Sequence, residues 1–416
     1  MDLDTTNGRS LSCIYYYAHW VVNICNKDFL MHPQTSQFIR SLFLLLLTST
    51  FLAACTSEET ADAGGGTGIP AAVEMGDVTL LITDAPNSEY EEVNVTAESV
   101  SLVGEGPEAQ LMNRSQRFNL LDLRNTFRKL SRCKAPVGTY SKVRFRIRDV
   151  EVVKYKANGL VERAYPRLQS NQMDLNARTQ FAVDRLRQLI VKLDLDADAS
   201  LGTDPDAVDT DNPDGTVFDP NATVDVDSVP ADTTEPPQDV TPLLMKEQGT
   251  IQSLTADAFQ VCVPDPNVAG QCEQVVQVSM GTDTVVWNTQ IQAGGSETLN
   301  GTASVIVIGH LDVTTDTVNA LHVIQQGTRV SGYAGNFNAD GSFTVTAGAY
   351  AGSSFTVSLA DPSLGIYDEA GNVLDASALG ANVEAEVIGL LTPGLPPLQP
   401  STITPAVIIV STATTP

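Results

Sequence analysis

The sequence predicts an all-β protein, a leading strand-rich domain followed by two small barrels. Three observations carry that expectation. Aromatic residues make up only 6 % of the 416-residue chain, while Val, Thr, Gly and Asp are plentiful, a balance that favours short strands and turns over helices. The segment Lys142-Val-Arg-Phe-Arg-Ile-Arg148 alternates without a fault, placing Val143, Phe145 and Ile147 on one face and the four cations on the other. The last two fifths of the chain repeat themselves. Gly249–Val261 answers to Gly332–Val345, Leu299–Gly309 to Leu379–Gly389, and the run from Thr317 to that from Thr402, at offsets of 83, 80 and 85 residues. A module of about 80 residues with some five strands per copy has the rhythm of a small closed barrel.

Taken from the start, residues 1–30 fit no part of a signal, and the expected initiator is Met31, with an unusually long leading region as the alternative. Arg40 is then followed by an apolar run from Leu42 and by Leu52-Ala-Ala-Cys55. Thirteen residues are too few to cross a bilayer, which needs roughly 20, but they suit the hydrophobic part of a secretory signal. Leu52-Ala-Ala-Cys55 resembles the lipobox of bacterial lipoproteins. The resemblance implies lipidation at Cys55, removal of residues 1–54 and, with Thr rather than Asp after the cysteine, an outer-membrane address. Residues 55–75, with Ala-Asp-Ala-Gly-Gly-Gly-Thr-Gly, have nothing to bury and read as a flexible tether.

The first domain is expected over 76–226. Its strands are Val78–Thr83, Val93–Val103, Phe118–Leu123, Lys142–Arg148, Val150–Tyr155, Gln180–Val183 and Leu189–Leu195. Arg124–Lys134 reads as basic and irregular with a single helical turn. The last strand competes with an amphipathic helix, and alternation of Val191, Leu193 and Leu195 with charged residues favours the strand. Gly76-Asp-Val-Thr-Leu-Leu-Ile-Thr-Asp-Ala-Pro86, Pro136-Val-Gly-Thr-Tyr140 and Leu193-Asp-Leu-Asp-Ala-Asp-Ala-Ser200 resemble, in that order, the lipoprotein domain called domain of unknown function 4382. That likeness, over about residues 76–226, implies an immunoglobulin- or transthyretin-like β-sandwich and no activity. Residues 227–246 read as an acidic, Pro-rich linker, the end of an acidic stretch running from Asp194 to Asp239. The barrels are expected at 247–327 and 328–416, and they resemble the OB-like repeat called domain of unknown function 5666.

Net charge is −26, unevenly spread. Between Arg114 and Lys192 there are 19 Lys and Arg against six Asp and Glu, and elsewhere five against 44. Such asymmetry speaks about partners. Lys142, Arg144, Arg146 and Arg148 form the candidate polyanion-binding row, for lipopolysaccharide phosphates or another envelope polymer. The competing reading is a solvated face neutralised by Glu151, Glu162 or the acidic stretch. Nucleic acid is not expected, because no aromatic interleaves the cations. Cys262 and Cys272 flank a loop that could close a hairpin, so a disulfide is expected there, with Cys133 a buried thiol. The acidic stretch fails the calcium-loop pattern, since Thr210 and Asn221 occupy the positions that need acids. His310 and His322 lack the partners of a metal site, and Trp287, Tyr333, Tyr350 and Tyr367 could form a glycan-stacking platform but suit a core better. Motifs of hydrolases, zinc peptidases and phosphate loops are absent. The expectation is therefore a non-enzymatic, lipid-anchored envelope protein without cofactor or metal, presenting binding modules to a glycan, lipopolysaccharide or an envelope protein. An accessory role in an envelope carbohydrate-processing or transport complex is the alternative.

Overall fold

The computed structural model describes residues 73–411 apart from 85–89, 91, 113, 125, 156–160, 231–242, 266–267, 347–353 and 393–400. Met31, Cys55, residues 56–72 of the expected tether and Tyr350 lie outside the described residues, and the tether's expected last residue, Met75, is already strand. The described residues are nearly all-β, with a two-sheet sandwich followed by two closed five-stranded barrels.

One sandwich sheet runs Ala222–Pro230, Arg187–Leu195, Met75–Asp84, Arg128–Pro136. The other is built on Glu92–Gly104 and the 18-residue strand Gly138–Tyr155, flanked by four shorter or edge strands. Val78, Leu80 and Ile82 from the first sheet meet Val143, Phe145 and Ile147 from the second, all essentially without solvent contact. The strand Met75–Asp84 is the hub. Met75 pairs with Pro136, and Asp84 pairs in parallel with Leu195. The first and third stretches that carry the family likeness therefore lie side by side, while the second begins opposite Met75 and leads into the other sheet. Leu81, between two inward residues, is also fully buried. With Ile190 and Val229 it faces the first barrel. Burial on both faces explains the unbroken apolar run Leu80-Leu-Ile82.

Several local expectations need correction. Only Gln116–Asn119 is a strand in the third run. Asn119 accepts the amide of Leu121 and turns the chain into a single helical turn, Leu120–Leu123. Arg124–Lys134 is mostly strand, Arg128–Pro136. Lys142–Arg148 and Val150–Tyr155 are one strand, with a bulge at Arg148 that restores the inward phase at Val150. The acidic stretch is not a linker throughout. Val224 and Val226 alternate with Asp225 and Asp227, so Ala222–Pro230 pairs with Arg187–Leu195, and Lys192 bridges both Asp225 and Asp227 at 2.8 Å. The boundary expected at 226 thus falls inside a strand.

The first barrel consists of Leu244–Gln252, Ala258–Pro264, Cys272–Trp287, Ser304–Asp312 and Thr317–Gln325. Its strands close in the order 1-2-3-5-4, with the third and fifth parallel. The second repeats that circuit with Thr328–Gly335, Ser342–Thr346, Ser354–Ser358, Glu384–Thr392 and Ser401–Val410. Even the irregularities match. Pairing slips by one residue at Ile308/Gly309 in one barrel and at Ile388/Gly389 in the other. A Cβ at either glycine would run into a carbonyl oxygen of the facing strand, that of Asn319 or Thr404. Gly309→Ala and Gly389→Ala should each lower stability by about 1–3 kcal/mol, read as a shift in urea midpoint. A change near zero in both would mean that the bulges do not need glycine.

Candidate functional site

The expected polyanion row is on the outer face of Gly138–Tyr155, but it is largely neutralised by its neighbours. Asp174, on the adjacent strand, takes Arg144 through two hydrogen bonds of 2.7 and 3.0 Å, and Glu108 adds a third contact at 2.9 Å. Lys142 lies 4.0 Å from Asp174, and Arg148 bridges Asp149 at 2.8 Å. Arg146 is exposed and bonds to the uncharged Gln172. The counter-charges are Glu108, Asp149 and Asp174, not the acidic stretch. Glu151 instead gathers Arg117, Arg163 and the Tyr165 hydroxyl.

Several cations between Arg114 and Arg132 reach the barrels instead. Arg128 bridges Glu273 at 2.7 Å and Lys129 bridges Asp316 at 2.6 Å, both in the first barrel. Arg124 reaches Glu384 of the second barrel at 3.2 Å. Asp122, held by the Asn119 side chain, pairs with Arg329. Arg329 also contacts Glu386, whose carboxylate clasps Lys246 at 2.6 and 2.7 Å. A chain of charges thus runs from the sandwich through the second barrel to the first. Much of the charge asymmetry is settled within the molecule. The sequence signalled the charges but not the pairing, since Arg124 and Glu384 are 260 residues apart.

At this junction lies a cavity of about 360 Å³. The sandwich contributes Asn94, Arg117, Phe118, Asn119, Asp122 and Arg128; the barrels contribute Lys246, Glu247, Gln248, Thr250, Glu273, Ser304, Ile306 and Arg329, among others. Two of these side chains have atoms that are buried and without a hydrogen-bond partner, Nε of Arg128 and Oε1 of Glu247. Burial pushes the Glu247 carboxyl up from 4.5 to about 7, against the pull of Arg128 and Lys129. The folded chain then holds a proton that the unfolded chain releases between pH 4.5 and 7, so ionisation costs stability as pH rises through that window. Glu247→Gln should raise the urea midpoint at pH 8 and leave it nearly unchanged at pH 4. Equal shifts at both values would contradict the buried-charge reading.

A second polar cluster closes the seam between the barrels. Trp287 Nε1 donates to His322 Nδ1 at 3.0 Å, which fixes the His322 proton on Nε2, 2.8 Å from the Tyr367 hydroxyl. All three are buried among Leu244, Ile308, Ile388 and Ile409. Trp287 and Tyr367 are therefore seam residues and not a glycan platform, while Tyr333 is exposed. His310 is not brought to His322's partners; its Nε2 is buried without a hydrogen-bond partner. Among the described residues no group of three or more His, Cys, Asp or Glu is placed to hold a metal ion. Cys262 and Cys272 are disulfide-bonded across the hairpin of the first barrel, and Cys133 is a half-buried free thiol whose pKa burial pushes up to about 11.

Asp84 links two of the family stretches. Its carboxylate accepts the amide of Ala197 at 3.0 Å, at the start of the short helix Ala197–Ser200. Desolvation raises its pKa to about 8. This residue ties the first stretch to the third, a structural role.

No curated protein and no solved structure matches the chain. One family model does, covering about a third of the chain: residues 75–215 form a domain of the family described as domain of unknown function (DUF4382).

Proposed function

We propose that this is a lipid-anchored envelope protein, tethered through Cys55, that binds a ligand without chemically altering it. In this reading residues 1–54 are a signal, and the barrels belong to the family of domain of unknown function 5666. The observation that carries the binding role is the junction cavity, where three modules converge on a mixed polar and apolar lining. Its other acids, Asp122 and Glu273, are each held by an arginine. The remaining acid, Glu247, is buried, and desolvation raises its pKa to about 7. Glycans and envelope polyanions are the ligand classes that suit an envelope address.

Mass spectrometry of native protein tests the anchor: a diacylglyceryl thioether on Cys55 with nothing ahead of it supports the proposal, and a free thiol or retained leader refutes it. A glycan and polyanion array separates direct recognition from an accessory role. Salt-sensitive binding weakened by Arg146→Glu indicates direct polyanion contact. Co-purification of one stoichiometric envelope partner, with no array binding, favours the accessory reading.

A further inference from the structure

The Cys262–Cys272 disulfide sits where the first barrel meets the sandwich. Along Cys272–Trp287, Val276, Val278 and Met280 belong to the barrel core, while Val275 and Gln277 are exposed. Glu273 has the outward phase of Val275 yet is only 5 % exposed. The sandwich holds it there: its carboxylate accepts Arg128 at 2.7 Å and the backbone amide of Arg117 at 3.3 Å, and its carbonyl accepts the Arg114 guanidinium. Glu273 is also the extra residue of a bulge, since Val263 pairs with Gln274 and Pro264 with Cys272. A bulge re-aims the side chain it displaces, here toward the sandwich. The disulfide spans that bulge, because Cys262 pairs with Val275 on one side of it and Cys272 with Pro264 on the other. The second barrel shows what closure itself requires. Its matching strands pair without a slip from Ser342 opposite Ser358 to Thr346 opposite Ser354, and it contains no cysteine. The circuit closes there with neither bulge nor bridge at this hairpin, so both features belong to docking. Val263, Pro264, Glu273, Arg117 and Arg128 all line the junction cavity, and this contact is one of its walls.

We propose that the Cys262–Cys272 disulfide is a redox-sensitive latch: it braces the bulge that aims Glu273 at the sandwich, and its reduction by a dithiol releases that contact and loosens one wall of the cavity. Both cysteines are half-buried, and the exposed Gln252 donates to Cys272 Sγ at 3.5 Å, so the bridge lies at the barrel's surface. One thiolate of the dithiol attacks a sulfur of the bridge and forms a mixed disulfide as the Cys262–Cys272 bond breaks. The second thiol then closes the reductant's own disulfide. Two electrons and two protons pass to the cysteines, and the dithiol is oxidised. As control of ligand access the latch rests on the binding reading; as a contact within the chain it does not, and the experiment reads the contact.

The test is hydrogen exchange read by mass spectrometry on the full-length protein in detergent, with and without dithiothreitol, alkylation showing whether both cysteines are reduced. Exchange over residues 114–119 should quicken about tenfold or more on reduction, while Thr317–Gln325 in the same barrel and Ser401–Val410 in the second stay within about twofold. Cys262→Ser with Cys272→Ser should exchange like the reduced protein and ignore dithiothreitol. Because that variant could perturb folding, Glu273→Ala, which keeps the disulfide, provides the second arm. It should quicken exchange over 114–119 in the oxidised protein and shrink the further effect of reduction. Unchanged exchange over 114–119 after full reduction overturns the latch, as does a bridge that dithiothreitol leaves intact in the folded protein. Reduction that acts as strongly in Glu273→Ala as in the wild type overturns the part given to Glu273. Loss of protection through Thr317–Gln325 as well would make the bridge a staple of the barrel itself and also overturns the proposal. The binding reading fails separately, if the oxidised protein captures nothing on the glycan and polyanion array and brings down no partner.

Discussion

Replacing Lys246 with methionine should lower the unfolding free energy by about 3–5 kcal/mol, the usual cost of stranding one member of a buried ion pair. Both side chains are almost fully enclosed, Lys246 at 6 % and Glu386 at 2 % exposure. Without the ammonium, Glu386 keeps only Arg329, whose Nε is 3.4 Å away. The pair joins the first strand of one barrel to the fourth strand of the other, so the loss should appear as easier separation of the barrels. The double variant Lys246→Met with Glu386→Leu should recover most of it, because two apolar residues replace two desolvated charges and Arg329 still has Asp122. Urea titrations of the four proteins give the coupling directly. A single-variant loss below about 1 kcal/mol, the range of a surface pair, would show that this contact does not hold the barrels together.

The seam cluster should make the protein acid-sensitive in a defined window. Burial lowers the His322 pKa from 6.5 to about 4. Native His322 stays neutral where the unfolded chain already takes up a proton, so its contribution is fully present above pH 6.5 and is lost as pH falls toward 4. The size is about 3 kcal/mol at the conversion of 1.36 kcal/mol per unit. The physical cause is plain: a proton on Nδ1 would oppose the indole N–H of Trp287, and both groups can only donate. Glu247 and Asp84, whose pKa values burial raises, act in the opposite sense and lose stability as pH rises. The comparison must therefore be between wild type and His322→Asn, which keeps an acceptor and a donor but does not titrate. The wild type should lose about 3 kcal/mol more than the variant between pH 7 and 4. Parallel pH profiles would refute the assignment.

What the sequence revealed and what it hid divide along a physical line. Short-range periodicity was legible. The alternation through Lys142–Arg148 placed Phe145 inward, and the 80-residue repeat anticipated two barrels whose matching bulges sit at Gly309 and Gly389. Ala222–Pro230 was legible too, in Val224 and Val226, but the density of aspartates around it suggested a linker. Long-range pairing left no such trace. Nothing near Arg128 names Glu273, and nothing near Trp287 names Tyr367, because these contacts depend on how three closed cores meet. The candidate cavity exists only at that meeting place, so it was invisible one segment at a time. Leu81 and Ile190 hinted at it, as apolar residues on a face that a lone sandwich would leave in water.

Hydrogen exchange as a function of denaturant probes that meeting place across the whole molecule. The slowest amides of Gly138–Tyr155 in the sandwich, Thr317–Gln325 in the first barrel and Ser401–Val410 in the second should open at one common free energy. That is the behaviour of a single cooperative body locked by its junction charges. Three separate opening energies, unchanged by Lys246→Met, would show instead that the modules fold and fail independently.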